Sequence, residues 1–325
     1  MKELNINFDY EKEEENKLDD WNRNKNSLIL IDKKGIIKVD KIINDNEEII
    51  IKRRKRNLTD KQKNFLNQSD DFKNHCRSLG GYIHMIYYKN EIVFNDINID
   101  KANISRIMYL ATFVDYNDKK EGLLTTKGSS YKSVPMDRKK MKELLNLGDT
   151  AFKSFLKNCK DNELIYEVDK KFYINPIYFN KGNVDLLSDD KGYCRLFINT
   201  IRELYINCKP SQHKTLTNIY QLIPFIHYSN NMICHNPECL ENEAKPMNLK
   251  DIGIKLKIEN NRTNLNRLTK ELEKFKVTVE DKEYKLFAYV KVSDKDFFFI
   301  NPYVIYSGNN VDQLRKISDT YFFRD

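Results

Sequence analysis

Two segments with helical spacing gather the same kinds of side chain on one face. The first carries Thr150, Lys153, Ser154 and Lys157, and the second Asn260, Thr263, Asn264, Arg267 and Lys270. A guanidinium pairs with the guanine edge and a carboxamide with the adenine edge through two hydrogen bonds each. Ammonium and hydroxyl groups meet phosphate oxygens. This is recognition chemistry rather than bond breaking. Lys170 and Lys171 add two cations at a predicted hairpin tip. Lys52-Arg53-Arg54-Lys55-Arg56 adds five in a row, which repel one another unless an anion compensates them. Every surface helix has a polar face and most basic runs are solvated surface, so the supporting elements decide how these residues are read.

The chain offers little for catalysis. It has no GxxxxGK[ST] loop and no His-x-His motif with a companion Tyr, and His75, His84, His213, His227 and His235 are isolated from one another. Cys234-His235 and Cys239 raise zinc, but CHxxxC is not a standard ligand pair and Asn236-Pro237-Glu238 reads as an ordinary turn. The expectation is a protein that is not an enzyme, with no metal and no cofactor.

The elements that hold the polar faces form a pattern that occurs twice, about 110 residues apart. One copy runs from Pro135-Met136 to Tyr173-Ile174-Asn175-Pro176, the other from Pro246-Met247 to Phe299-Ile300-Asn301-Pro302, with Pro-to-Pro spacings of 41 and 56. Each holds a short amphipathic helix, a turn, a second helix and a hairpin, the outline of a winged helix. In the first copy Asp137–Leu145 is the support helix, Asp149 caps the next, and Phe152, Phe155, Leu156 and Cys159 form its apolar side. A wing follows across Asp169-Lys170-Lys171. In the second, Asn248–Leu256 supports, Asn260 or Asn261 caps, and Leu265, Leu268, Leu272 and Phe275 are the core stripe. Its wing pairs Tyr284–Lys291 with Asp296–Ile300.

The rest of the chain divides around these copies. Residues 1–27 form a polar acidic tail expected to be disordered. Residues 28–81 form a β-hairpin and helix region bearing the basic run. The first module spans 82–182, with a strand at Tyr82–Tyr88 and a helix from about Asn103. The second spans 183–310, with helices at Cys194–Tyr205 and Leu216–Tyr228, and 311–325 is a short, helical tail. The expected class is α+β.

Lys+Arg 56 against Asp+Glu 48 gives +8, and because residues 1–20 carry a net −5 the remaining chain is about +13. A basic body is the footprint of a polyanion binder, although a genome poor in G·C also enriches Lys, Asn and Ile. Six scattered Cys, an acidic N-terminus without an apolar core and no long apolar stretch lead to the expectation of a bacterial cytoplasmic protein with reduced thiols, away from membranes.

The stretches Ser105–Tyr116, Gly122–Leu124, Pro135–Gly182 and Pro246–Gly308 resemble replication-type proteins of Firmicutes phages and plasmids, and the resemblance covers most of the chain beyond residue 28. The layout is also similar to iteron-binding plasmid initiators, which carry two winged-helix domains; the long N-terminal region with Lys52–Arg56 departs from it. The resemblance implies sequence-specific binding of duplex DNA at A·T-rich origin repeats, contact with host replication proteins, and a homodimer. A transcriptional regulator acting on an operator with the same modules is the alternative.

Overall fold

The computed structural model describes residues 30–31, 37–38, 70–115, 121–127, 132–181, 184, 187–259, 261–293 and 295–323. Within residues 1–65 it places β1 (Leu30–Ile31) antiparallel to β2 (Ile37–Lys38), the hairpin expected between the two β-branched runs. The acidic tail and the basic run Lys52–Arg56 lie outside the described residues.

Residues 66–325 form a mixed α+β unit of helices, the first α1 at residues 70–78, and small antiparallel sheets, among them the pair β4 (Thr125–Lys127) and β5 (Ser133–Pro135), with no barrel among the described residues. At its centre β3 (Tyr82–Tyr88) pairs antiparallel with β9 (Lys191–Phe197) over seven residues. The edges are β8 (Phe179–Asn180) beside β3 and β14 (Ile305–Tyr306) beside β9. Met85 faces Phe179 as Leu196 faces Ile305. Gly81-Tyr82-Ile83-His84-Met85 is therefore the counterpart of Gly192-Tyr193-Cys194-Arg195-Leu196. His84 pairs with its own counterpart, Arg195, so a local two-fold axis passes between them.

The helices on this sheet obey the same axis. α2 (Lys101–Ala111) is buried on nearly every side and crosses α6 (His213–Gln221). Ser105 Oγ donates to the His213 carbonyl (2.8 Å), while Thr217 Oγ1 donates to the Lys101 carbonyl, and the two hydroxyls lie 2.8 Å apart. Polar groups this deeply buried are tolerated because each is hydrogen-bonded. The seam has a defined register that an all-apolar crossing would lack.

Around the axis the two halves repeat bond for bond. Thr125 N donates to Phe113 O and Cys234 N to Phe225 O; Met136 N to Leu124 O and Met247 N to Ile233 O; Ile174 N to Gly122 O and Ile300 N to Asn231 O. The repeated Ile-Asn-Pro has a local cause. Asn175 Nδ2 donates to Glu163 O (2.9 Å) and its Oδ1 accepts from Ile177 N, while Asn301 Nδ2 donates to Lys285 O (2.8 Å) and its Oδ1 accepts from Tyr303 N. One carboxamide closes each hairpin base and starts the turn toward the central sheet.

Four expected features differ. Residues 194–197 are strand rather than helix: β9 is claimed by β3 and β14, and α5 begins only at Ile198, running to Asn207. The helix expected over Leu216–Tyr228 stops at Gln221 and passes into a 3₁₀ turn, Ile223–Phe225, around Pro224, which cannot continue the ladder. Asp149 is the first helical residue rather than the cap, a place taken by Gly148 without a side-chain bond. Tyr284 lies not in the second module's wing but in a separate hairpin inserted ahead of it, β10 (Lys276–Val279) with β11 (Lys282–Lys285). The expected helical tail is present as α9 (Val311–Tyr321).

Candidate nucleic-acid interface

In the first module α3 (Arg138–Leu145) is capped by Asp137, whose carboxylate accepts from Lys140 N at 2.6 Å, and it ends at Asn146 in the left-handed region (φ 50°). The chain then turns into α4 (Asp149–Asp161). Phe152, Phe155, Leu156 and Cys159 are buried, each large apolar side chain contributing about 1.5–3 kcal/mol relative to exposure. Burial also pushes the Cys159 thiol far above its ordinary range, so it is a packing residue. With that face fixed, Thr150, Lys153, Ser154 and Lys157 are exposed. Lys153 and Lys157 have no ion-pair partner among the described residues, whereas Lys160 is held by Glu167 at 2.6 Å.

The N-terminus of α4 is less welcoming to an anion than a bare helix end. Asp149 pairs with Lys142 at 2.7 Å, and that hydrogen bond and charge, with Lys153 adding to them, hold its carboxyl below the usual range. The hairpin β6 (Ile165–Val168) with β7 (Lys171–Ile174) follows. Its tip, Asp169-Lys170, has both residues left-handed (φ 49° and 61°), the geometry of a type I′ turn. Lys170 and Lys171 are exposed there.

In the second module α7 (Leu249–Lys255) is capped by Asn248 in a capping box with Asp251. α8 (Arg262–Leu272) is capped by Asn261, whose Oδ1 accepts from Asn264 N at 2.8 Å; Asn260 lies outside the described residues. Leu265, Leu268 and Leu272 are buried and Thr263, Arg267 and Lys270 are exposed. Asn264 is half-buried and its Nδ2 donates to Glu259 at 3.1 Å, so in this conformation its amide is committed to a neighbouring carboxylate. The hairpin at the place of the expected wing is β12 (Phe287–Val292) with β13 (Lys295–Ile300), two residues longer per strand than β6 and β7 of the first module.

Two further exposed residues stand on α8, Arg262 and Asn266, which the sequence pattern had not singled out. The signal is there, since positions 262, 263, 266, 267 and 270 fall on one stripe at helical spacing. Neither Arg262 nor Arg267 has an ion-pair partner among the described residues, and the first turn of α8 contains no acidic residue, unlike that of α4.

In the 234–239 segment Cys234 is buried, Cys239 is half-buried, and the exposed His235 has Nε2 3.3 Å from Asp251 Oδ2. Burial pushes the Cys234 thiol up to about 12, and the buried His227 ring meets Cys239 O through Nε2 (3.0 Å) and Ser229 through Nδ1. Among the described residues no group of three or more His, Cys, Asp or Glu is arranged to hold a metal ion, and no helix is long and apolar enough to cross a membrane. Comparison with protein-family models, curated proteins and solved structures finds no match to this chain.

Proposed function

We propose that the chain binds double-stranded DNA sequence-specifically, using its two helix–turn–helix and hairpin modules as winged helices. The observation that carries this reading is the repetition itself. Two equivalent helices, α4 and α8, each bury one face in the same framework and turn outward cations that have no ion-pair partner among the described residues, and the central strands of that framework pair about a local two-fold axis. Modules so related meet a duplex in opposite orientations, so the site consists of two inverted half-sites.

The two faces suit different work. α8 offers Arg262, Asn266 and Arg267, groups that pair bidentately with base edges. α4 offers hydroxyls and ammonium groups suited to phosphates, and the Thr150 methyl suits a thymine methyl, with Lys170 and Lys171 placed like a wing tip on the backbone. Sequence discrimination therefore belongs mainly to the second module.

The biological role proposed is replication initiation for a plasmid or phage, at A·T-rich repeats and with host replication proteins recruited to them. The resemblance of the sequence to such initiators supports it. A transcriptional regulator is the second reading, favoured by the inverted half-sites, which also describe an operator. Footprinting on the DNA flanking the gene tests binding. A plasmid carrying that DNA and the gene as its only origin separates the roles: maintenance supports initiation, and loss of the plasmid together with control of a reporter supports regulation.

A further inference from the structure

The two helix–turn–helix units are tied to each other across the seam. Leu145 ends α3 and Leu256 caps α7, and these are equivalent positions, each with its carbonyl at a helix C-terminus where intrahelical donors run out. Each carbonyl is met by a side chain from the opposite half. Tyr205 of α5 donates through its hydroxyl to Leu145 O at 3.1 Å. Lys101, the first residue of α2, donates through Nζ to Leu256 O at 3.4 Å and to Asn218 Oδ1 at 3.2 Å.

Neither tie is a loose surface contact. The Tyr205 ring is sandwiched between Tyr109 (centroids 4.2 Å apart, 9° between planes) and His213 (4.5 Å, 15°), one from each half, and is 4% exposed. Lys101 is half-buried and its ammonium stands at a helix C-terminus, where the helix dipole favours a cation. Burial lowers its pKa, and the neighbouring Lys257 lowers it further. Arg202 adds a third tie, from α5 to the end of α2, through Nε to Thr112 Oγ1 (2.9 Å) and Nη2 to Thr112 O (2.8 Å). The turn ahead of each recognition helix is thus anchored to the other module.

We propose that Tyr205 and Lys101 are positioning residues that fix the distance and angle between α4 and α8, so that the chain accepts its two half-sites at one separation only. The proposal rests on the DNA-binding reading above. Neither side chain need touch DNA. Each acts through the helix–turn–helix it holds.

The test is selection from a pool of random-sequence duplexes several helical turns long, with the intact chain and with Tyr205→Phe/Lys101→Met, which keeps bulk and removes both donors. The intact chain enriches two inverted half-sites at a single separation. One inserted base pair turns the far half-site by about a tenth of a turn. That cuts its affinity on the order of 10-fold or more, because the two modules no longer engage together. The variant, folded by circular dichroism and unchanged toward one half-site, enriches the same half-sites at several separations and loses less than about 3-fold on the insertion. A variant that keeps the single separation overturns the clasp and leaves DNA reading intact. No enrichment by the intact chain overturns both. Should the double variant not fold, Tyr205→Phe alone, with the ring stack preserved, is scored by the same criterion.

Discussion

The two modules share the backbone bonds that frame their helices and diverge most in chemistry on the helix face that the framework leaves in solvent. α4 and α8 bury equivalent stripes, Phe152, Phe155 and Leu156 in one and Leu265, Leu268 and Leu272 in the other. Outward, α4 shows Thr150, Lys153, Ser154 and Lys157 behind an acidic first turn, while α8 shows Arg262, Asn266 and Arg267 with none. Packing restricts the inner face, so two copies stay alike there. Nothing in the fold restricts the outer face, and that is where a difference carries functional information.

The largest expected effect lies where the copies solve one backbone problem in two ways. Gly122 is left-handed (φ +77°), and a Cβ there would stand 2.0 Å from the Ile174 carbonyl oxygen. Its counterpart Asn231 (φ 57°) tolerates the same region by donating Nδ2 to Ile300 O (3.0 Å) and Ile305 O (2.6 Å). Gly122→Ala is expected to destabilise by about 3–5 kcal/mol, from left-handed strain plus overpacking. Asn231→Ala, which strands two buried acceptors, is expected to cost about 2–3 kcal/mol. Urea unfolding checks both; equal, small losses would break the equivalence of the two positions.

A second asymmetry is the helix α1 at residues 70–78, whose His75 ring packs on Phe197 and Tyr303 of the second module. Burial, helped by Arg315, lowers the His75 pKa to about 4. The folded state therefore refuses a proton that the unfolded chain accepts below its ordinary value of 6.5. The contribution is fully present above pH 6.5 and is lost as the pH falls toward 4, to an extent of at most about 3 kcal/mol. Unfolding curves across that range should flatten in His75→Phe; an unchanged slope would assign the acid sensitivity elsewhere.

The helix faces themselves predict unlike mutants. Arg267→Ala should cost about 1–3 kcal/mol of specific binding and relax the preference at one base position. Lys153→Ala/Lys157→Ala should weaken binding to all sequences alike and lower the salt slope by about 2, because two phosphates then keep their counterions. Thermal stability should barely change in either case, since all three side chains are exposed. If the double lysine variant changed base preference, the division of labour between modules would be wrong.

The smallest effect concerns the wing tip. Lys170 occupies a left-handed position in a two-residue turn that favours Asn-Gly. Asp169→Asn/Lys170→Gly should raise the unfolding free energy by about 0.5–1 kcal/mol, read as a higher urea midpoint, while removing one exposed cation.

Much of this framework is legible in the sequence because repetition survives as short exact strings. Pro-Met marks the strand entering each support helix, and Ile-Asn-Pro marks the turn leaving each hairpin, where the Asn side chain does a specific job. The core stripes of α4 and α8 follow from period alone. β9 was not legible, because Cys194-Arg195-Leu196-Phe197 is a short stretch without a clear period, whose strand state is decided by pairing with a segment about 110 residues away. The inserted β10–β11 hairpin was hidden for a related reason, since its strands are only four residues each and run close to the hairpin that follows, so Tyr284 reads as the start of that hairpin. Arg262 and Asn266 share the legible stripe of Arg267. Lys101 and Tyr205 were not legible, as their partners are carbonyl groups, which no sequence pattern marks.

If the two-fold-related modules act as a pair, one chain reads two inverted half-sites. Hydroxyl-radical footprinting of the intact chain on a selected duplex, with the number of bound chains counted by native mass spectrometry, decides this. The expected outcome is one chain per duplex and two protected patches about one helical turn apart, symmetric about a dyad. Two chains on that site, a single patch from one chain, or protection without sequence preference would refute the paired reading.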